Sequence, residues 1–458
     1  MGLTISESHQ DSDVLLLNPH SNGIRTRVTV GKPPPAAKHI FSTSQQGTNT
    51  EATVDIPGCG FVLIRQDNAS KISKGGFGAR LKKALLGGSK SIAEDRLLAN
   101  EFMEIAISED TGGIAGVYSG GSRGNRFSLR LVRCNPLPSD SKESTPGDDT
   151  LMRCTAHRIL TSNSAIGTLE TSGELIDNSS EAILAKFTIR YSLPRGSRTL
   201  MVSGKIDVLH QTQGEPWDNY YALRVAVAND SAICRALLRD KVHRPGSRRV
   251  VSPLGVLLDE AERQTLICSN GSAFHRRVGN RFVDTLVAVA GDTDATFSMS
   301  YGMDVPNPVN AARELLSGPE QIAVSGSEHS PDIGWLMHMS PRDLLVSELK
   351  IDRCEDGRLT ALVRLIQTRP QQCKASVRFL RDVESAYVIT GKTDAPIHEI
   401  LAAQQVAKQG TDTEEQKGDE DAAGSSNLLP LSCDGDLVSL TMQSHASIEM
   451  LVVFSANT

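Results

Sequence analysis

The sequence predicts an all-β protein: a large antiparallel β-sandwich with a smaller N-terminal β-domain and further C-terminal strands. Three observations carry this. Apolar residues recur in short runs with a period near two, as in AKFTIRYSLP (185–194), TLMVSGKIDVLHQ (199–211) and NYYALRVAVAN (219–229). Gly, Pro, Asn, Asp and Ser bound these runs, which is where a chain of strands needs turns. No internal repeat of fixed period is visible, which disfavours propellers and solenoids.

Taken in order, VLLLNP (14–19) and GFVLIRQ (60–66) are strands of a small N-terminal domain over residues 1–70. A basic, glycine-rich linker follows at 71–97, with SKGGFGARLKKALLGGSKS (73–91) inside it. That loop lacks the GxxxxGK(S/T) order of a phosphate cradle and reads as solvated. The main sandwich spans 98–325 and opens on NEFMEIAISEDTGGIAGVYSG, a hairpin turning at Asp110-Thr111-Gly112-Gly113. PLPSDSKESTPGDD (136–149) is rich in turn formers and reads as a loop, and TLVAVAGD (285–292) is a buried strand. Helix is expected only in pieces such as Pro308 to Leu316, where a proline can occupy the first turn. Residues 326–458 carry ALVRLIQT, ASVRFLRD and SIEMLVVF, strands expected to complete the sandwich. Their acidic interruption at 405–428 is too poor in apolar residues to fold.

Composition narrows the function classes. With 458 residues there is material for large cores, and a net charge of −6 argues against a dominant nucleic-acid footprint. No run of eighteen apolar residues exists to span a membrane, and no basic-then-apolar leader opens the chain. MGLTIS matches the myristoylation pattern at Gly2, but no basic patch follows to help an acyl chain hold a membrane. The eight cysteines are scattered without metal-ligand spacing, so they read as buried thiols in a reducing cytoplasm.

Two stretches carry candidate chemistry. GEPWDNYYALRVAV (214–227) crowds Trp217, Tyr220 and Tyr221 beside Asp218 and Arg224 in a chain that is only 4% aromatic. Flat rings suit the C–H face of a pyranose, and Asp, Asn and Arg supply hydrogen bonds to its hydroxyls. The plainer alternative puts one tyrosine in the core and the other outside, because side chains alternate along a strand. NGSAFHRRVGNRFVDTLVAV (270–289) gathers His275, Arg276, Arg277 and Arg281 beside the turn formers Asn270-Gly271 and Gly279-Asn280. It reads either as a polar site at a loop rim or as a solvated basic edge. HQDSD (9–13) has a His-x-Asp spacing, but no ordered scaffold precedes it, so His9 and Asp11 are not expected to bind metal. There is no GxSxG, HExxH, P-loop, dinucleotide fingerprint or paired-carboxylate arrangement.

Further segments complete a pattern. LLLNPHSNGIRTRVTV, VDIPGCGFVLI (54–64), LANEFMEIAISEDTGGIAGVYSGGSRGNRFS (98–128), the two stretches above, GWLMHMSPRDLLVSELK (334–350) and SVRFLRD (376–382) follow one another. In that order they resemble the C-terminal β-domains of the zinc-dependent retaining α-mannosidases, glycoside hydrolase family thirty-eight, in their bacterial branch. One departure is RLIQT (364–368), where the resemblance leads one to expect a Glu at Gln367. The resemblance implies a supersandwich of the galactose-mutarotase type. It further implies that the aspartate nucleophile and most zinc ligands belong to a barrel, which is expected to be missing here together with the helical middle domain. On that reading the chain holds no catalytic residue and no metal of its own. It would contact α-mannosides through Trp217, Asp218, Tyr220, Tyr221, Arg224, His275, Arg276 and Arg277, with a separate barrel chain as a potential partner. Two rivals stand beside it: a stand-alone sugar-binding module, and a sugar epimerase in which His275 meets Asp284 or Asp218 as an acid–base pair.

Overall fold

The structure, a computed structural model, describes residues 4–5, 12–46, 49–65, 91–119, 124–135, 150–163, 165–260, 262–325, 330–353, 357–390 and 428–455. The expected loops at 73–90, 136–149 and 409–427, along with Gly2, His9 and Asp11, lie outside these residues.

Strands dominate, and each run singled out above forms one: Ile183–Pro194, Thr199–Val208 and Tyr220–Val227 are consecutive examples. The hairpin joins Met103–Ile107 to Ile114–Ser119. Gly112 turns it at φ 72°, a left-handed conformation that costs glycine little. The carbonyl of Gly112 is also an anchor, accepting the Tyr191 hydroxyl at 2.8 Å and the Thr171 hydroxyl at 2.9 Å.

Two nine-stranded antiparallel sheets make the main sandwich. The first runs from the edge strand Arg249–Val251 through Phe274–Val278, Phe282–Ala288, Tyr220–Val227 and Phe127–Cys134 to Ala93–Glu94. The second runs from Thr150–Ser162 through Ile166–Asp177, Ile183–Pro194, Thr199–Val208, Asp294–Met303 and Gln264–Ser269 to Lys241–His243. Leu129, Leu131, Tyr221, Leu223 and Val225 of the first sheet meet Phe187, Ile189, Val202, Ile206 and Tyr301 of the second in one continuous core. At one end Arg126, its side chain 1% exposed, clasps Asp304 with two hydrogen bonds of 2.9 and 3.0 Å and so ties the two sheets together.

The strands on either side of the sandwich depart from expectation. Those after Leu336 do not complete it. Met337–Ser340, Cys373–Phe379, Leu437–Met442 and Ser432–Asp434 form one sheet, and Leu344–Arg353, Leu359–Gln367, Ser447–Phe454, Val383–Ile389 and Leu428–Pro430 form another. Val363, Leu365, Val377, Phe379 and Val452 fill a separate core between them, so this second sandwich buries its own apolar faces. The N-terminal sheet in turn recruits Glu320–Ser325 and Ile333–Trp335, pairing Leu15 with Ile322 and Phe61 with Gly334. Gln367, fully buried, donates its amide to Cys373 Sγ at 2.8 Å and to the Gln371 carbonyl at 3.3 Å. An ionised glutamate there would have no hydrogen to give.

The helix Pro308–Leu316 spans the range expected for it, with Pro308 in its first turn. Val309 and Ala312 plug an apolar gap against Leu257 and Leu266, while Asn310 bonds Ser21 and the Arg342 carbonyl. The helix therefore touches all three bodies. Glu314 on its last turn accepts from Asn22 at 3.1 Å, and burial pushes its carboxyl up to about 7.

Candidate functional site

Strand alternation sorts six of the eight candidate residues onto two faces of the first sheet, and Trp217 and Asp218 lie in the turn before its strand Tyr220–Val227. On Tyr220–Val227, Tyr221 points into the sandwich and Tyr220 points away from it. Both are fully buried, so the expectation that one ring lies outside is corrected. Tyr220 sits in a second apolar patch on the outer face, with Val132, Cys134, Ala222 and Leu286. The same alternation divides Phe274–Val278: Arg276 stands opposite Asp284 on the outer face, and His275 stands opposite Thr285 on the inner one.

Tyr221, His275 and Arg277 therefore leave the candidate surface. The Tyr221 hydroxyl donates to the His210 carbonyl at 2.6 Å and lies 3.2 Å from that of Leu184, which satisfies a buried phenol. His275 is fully buried, 3.0 Å from the Thr285 hydroxyl and 3.4 Å from that of Ser269. Arg277 donates to the carbonyls of Ala232 and Asn280, fastening the turn at Gly279, and burial lowers its pKa. His275 and Asp284 occupy opposite faces of one sheet, so these two do not form the expected acid–base pair.

Burial lowers the His275 pKa to about 4. The unfolded chain, with an imidazole near 6.5, takes up its proton first. This residue's contribution is thus complete above pH 6.5 and is lost as pH falls toward 4. Over that window the wild type should lose about 3 kcal/mol on account of this residue. Urea melts at pH 7.5, 5.5 and 4.5 check this: His275→Gln should flatten that part of the decline.

On the outer face, Arg249, Arg276, Asp284 and Arg224 form one cross-strand row. Asp284, with no exposed surface, receives Arg224 Nε at 2.7 Å on one oxygen. Its other oxygen receives Arg224 Nη2 at 2.7 Å and the Tyr220 hydroxyl at 2.8 Å. Cys134 Sγ joins at 3.0 Å from Arg224. Burial first, then the adjacent carboxylate, drives the Tyr220 phenol far above its ordinary pKa, so it remains a donor. This knot is closed on itself and offers nothing to a ligand.

The accessible part lies above it. Asp218 bridges Arg276 at 2.6 Å and Arg249 at 3.1 Å, with about a third of its side chain exposed. Trp217 is half-buried and meets Phe274 edge-to-face, ring centres 5.7 Å apart at 83°. Phe274 is 48% exposed. Two apolar rings beside a carboxylate and two guanidiniums can hold a polyhydroxylated ligand by stacking and hydrogen bonding. Phe274 and Arg249 were not singled out from the sequence. The parity of SAFHRRVG could have found Phe274, since it shares a face with Arg276. Among the described residues no group of three His, Cys, Asp or Glu is placed to hold a metal.

No family model matches this chain, and no curated protein matches it in sequence. Solved structures do match it in fold. The α-mannosidase from Enterococcus faecalis V583 aligns over 97% of this chain with a TM-score of 0.58 at 10% identity. A glycosyl hydrolase family 38 protein from Enterococcus faecalis aligns over the same 97% with a TM-score of 0.57, also at 10% identity. The chain spans 56% of the first structure and 58% of the second.

Proposed function

We propose that this chain is the β-sandwich region of an α-mannosidase-like glycoside hydrolase, working in the cytoplasm beside a barrel domain that carries the nucleophile and the zinc. The observation that carries this reading is the likeness over 97% of the chain, which takes in the flanking sheets as well as the central sandwich. At this identity it speaks for the fold, and the activity is our inference from it. The described residues do not fit a zinc ion, so no step is assigned to the metal here. Asp284, which stands opposite Arg224 in register, is engaged with Arg224 and Tyr220. On this reading the rim of Trp217, Asp218, Arg249, Arg276 and Phe274 faces α-mannoside or barrel, while Tyr220 and Arg224 hold the rim's sheet rigid. Turnover of an aryl α-mannoside tests the reading. None is expected from the chain by itself, and zinc-dependent turnover is expected from material that also contains the barrel.

A further inference from the structure

A cleft of about 850 Å³ opens beside the exposed ring of Phe274. We propose that it is a binding site for a neutral oligosaccharide. Its floor is the outer face of the second sheet, where three neighbouring strands present alternate side chains in two cross-strand rows. Arg190, Ser203 and Ser298 form one row, and Thr188, Lys205 and Thr296 the other. Neighbours in such a grid stand about 4.8 Å apart across strands and about 6.8 Å apart along them, the scale of a pyranose ring. Four hydroxyls in that grid can each donate and accept, as sugar hydroxyls require. Asn270 leans over from the loop above and donates to Ser298 at 3.3 Å, joining the wall to the floor.

The charges argue for a neutral ligand. Arg190 is committed to Glu170 at 2.5 Å, and Glu170 also holds Arg158 at 2.6 Å. Lys205 is committed to Asp207 at 2.7 Å, with Asp294 at 3.9 Å. An anionic ligand would have to displace carboxylates already in place, whereas hydroxyls can share the same cations. Phe274 then supplies an apolar face for the ring's C–H groups, and Trp217, packed edge-on against it, is a positioning residue. The volume falls within the range of small-molecule sites and leaves room for more than one sugar ring.

The choice of mannosides as first probes rests on the α-mannosidase reading; the cleft itself does not. Calorimetric titration of the full chain uses α-1,2-, α-1,3- and α-1,6-mannobiose, maltose and cellobiose, with mannose 6-phosphate as the anionic control. Saturable binding of at least one neutral disaccharide is expected. It should weaken tenfold or more in Phe274→Ala and in the Ser203→Ala/Ser298→Ala double variant, and remain unchanged in Arg358→Ala, whose side chain pairs with Glu384 in the C-terminal sheets. Thermal melts confirm that each variant is folded. Absence of binding by every neutral sugar, binding of the phosphate alone, or binding indifferent to Phe274, Ser203 and Ser298 would each overturn the proposal. Those outcomes leave the barrel reading untouched, and hydrolysis by the chain alone would sink that reading without touching the cleft.

Discussion

Asp284→Ala should destabilise the fold by about 3–5 kcal/mol, seen as a fall in the urea midpoint. The substitution removes little volume. Its cost comes from Arg224, whose side chain is 4% exposed and whose charge would lose the two bonds of 2.7 Å that compensate its burial. The Tyr220 hydroxyl loses its acceptor in the same step. A buried ion pair adds little net stability by itself, but breaking one from a single side leaves an unpaired charge. The double variant Arg224→Met/Asp284→Leu should therefore recover most of the loss. A double variant as unstable as the single one would show that the pair is needed for more than mutual neutralisation.

Tyr221→Ala should cost about as much, roughly 3–5 kcal/mol, by a different route. The fully buried ring packs in the central core between the sheets with Leu223 and Leu184, so its removal leaves a cavity among apolar side chains. Tyr221→Phe keeps the ring and loses only the hydroxyl that meets the His210 and Leu184 carbonyls, at a cost of about 1–2 kcal/mol. Equilibrium unfolding of the two variants separates packing from hydrogen bonding. A Tyr221→Ala variant as stable as the wild type would mean the ring is not in the core.

These two residues also mark how far the sequence could be read. Period-two patterning is local, so the strand Tyr220–Val227, the hairpin at Gly112 and the helix beginning at Pro308 were legible. Parity was legible too, and it places Tyr220 and Tyr221 on opposite faces. What covers each face was not. The patch that buries Tyr220 is assembled from Val132, Cys134, Ala222 and Leu286 on three strands, and no pattern within one strand announces it. Pairing between distant segments was equally hidden. Leu359–Gln367 pairs with Ser447–Phe454, and Asp13–Asn18 with Glu320–Ser325, so neither the separate C-terminal sandwich nor the shared N-terminal sheet could be inferred from order along the chain. The basic cluster at 275–277 misled for a related reason. Three polar residues in a row look like one site, yet in a strand they cannot share a face.

We propose above that this β-sandwich serves α-mannoside hydrolysis without holding the reacting groups. Release of 4-nitrophenol from 4-nitrophenyl α-mannoside tests it most directly, comparing the recombinant chain, with and without zinc, against the tagged chain recovered from its native cells. The account predicts no release from the recombinant chain and release abolished by chelation from the native material. Zinc-dependent release by the recombinant chain alone, or native material inert toward the α-mannoside, would contradict it.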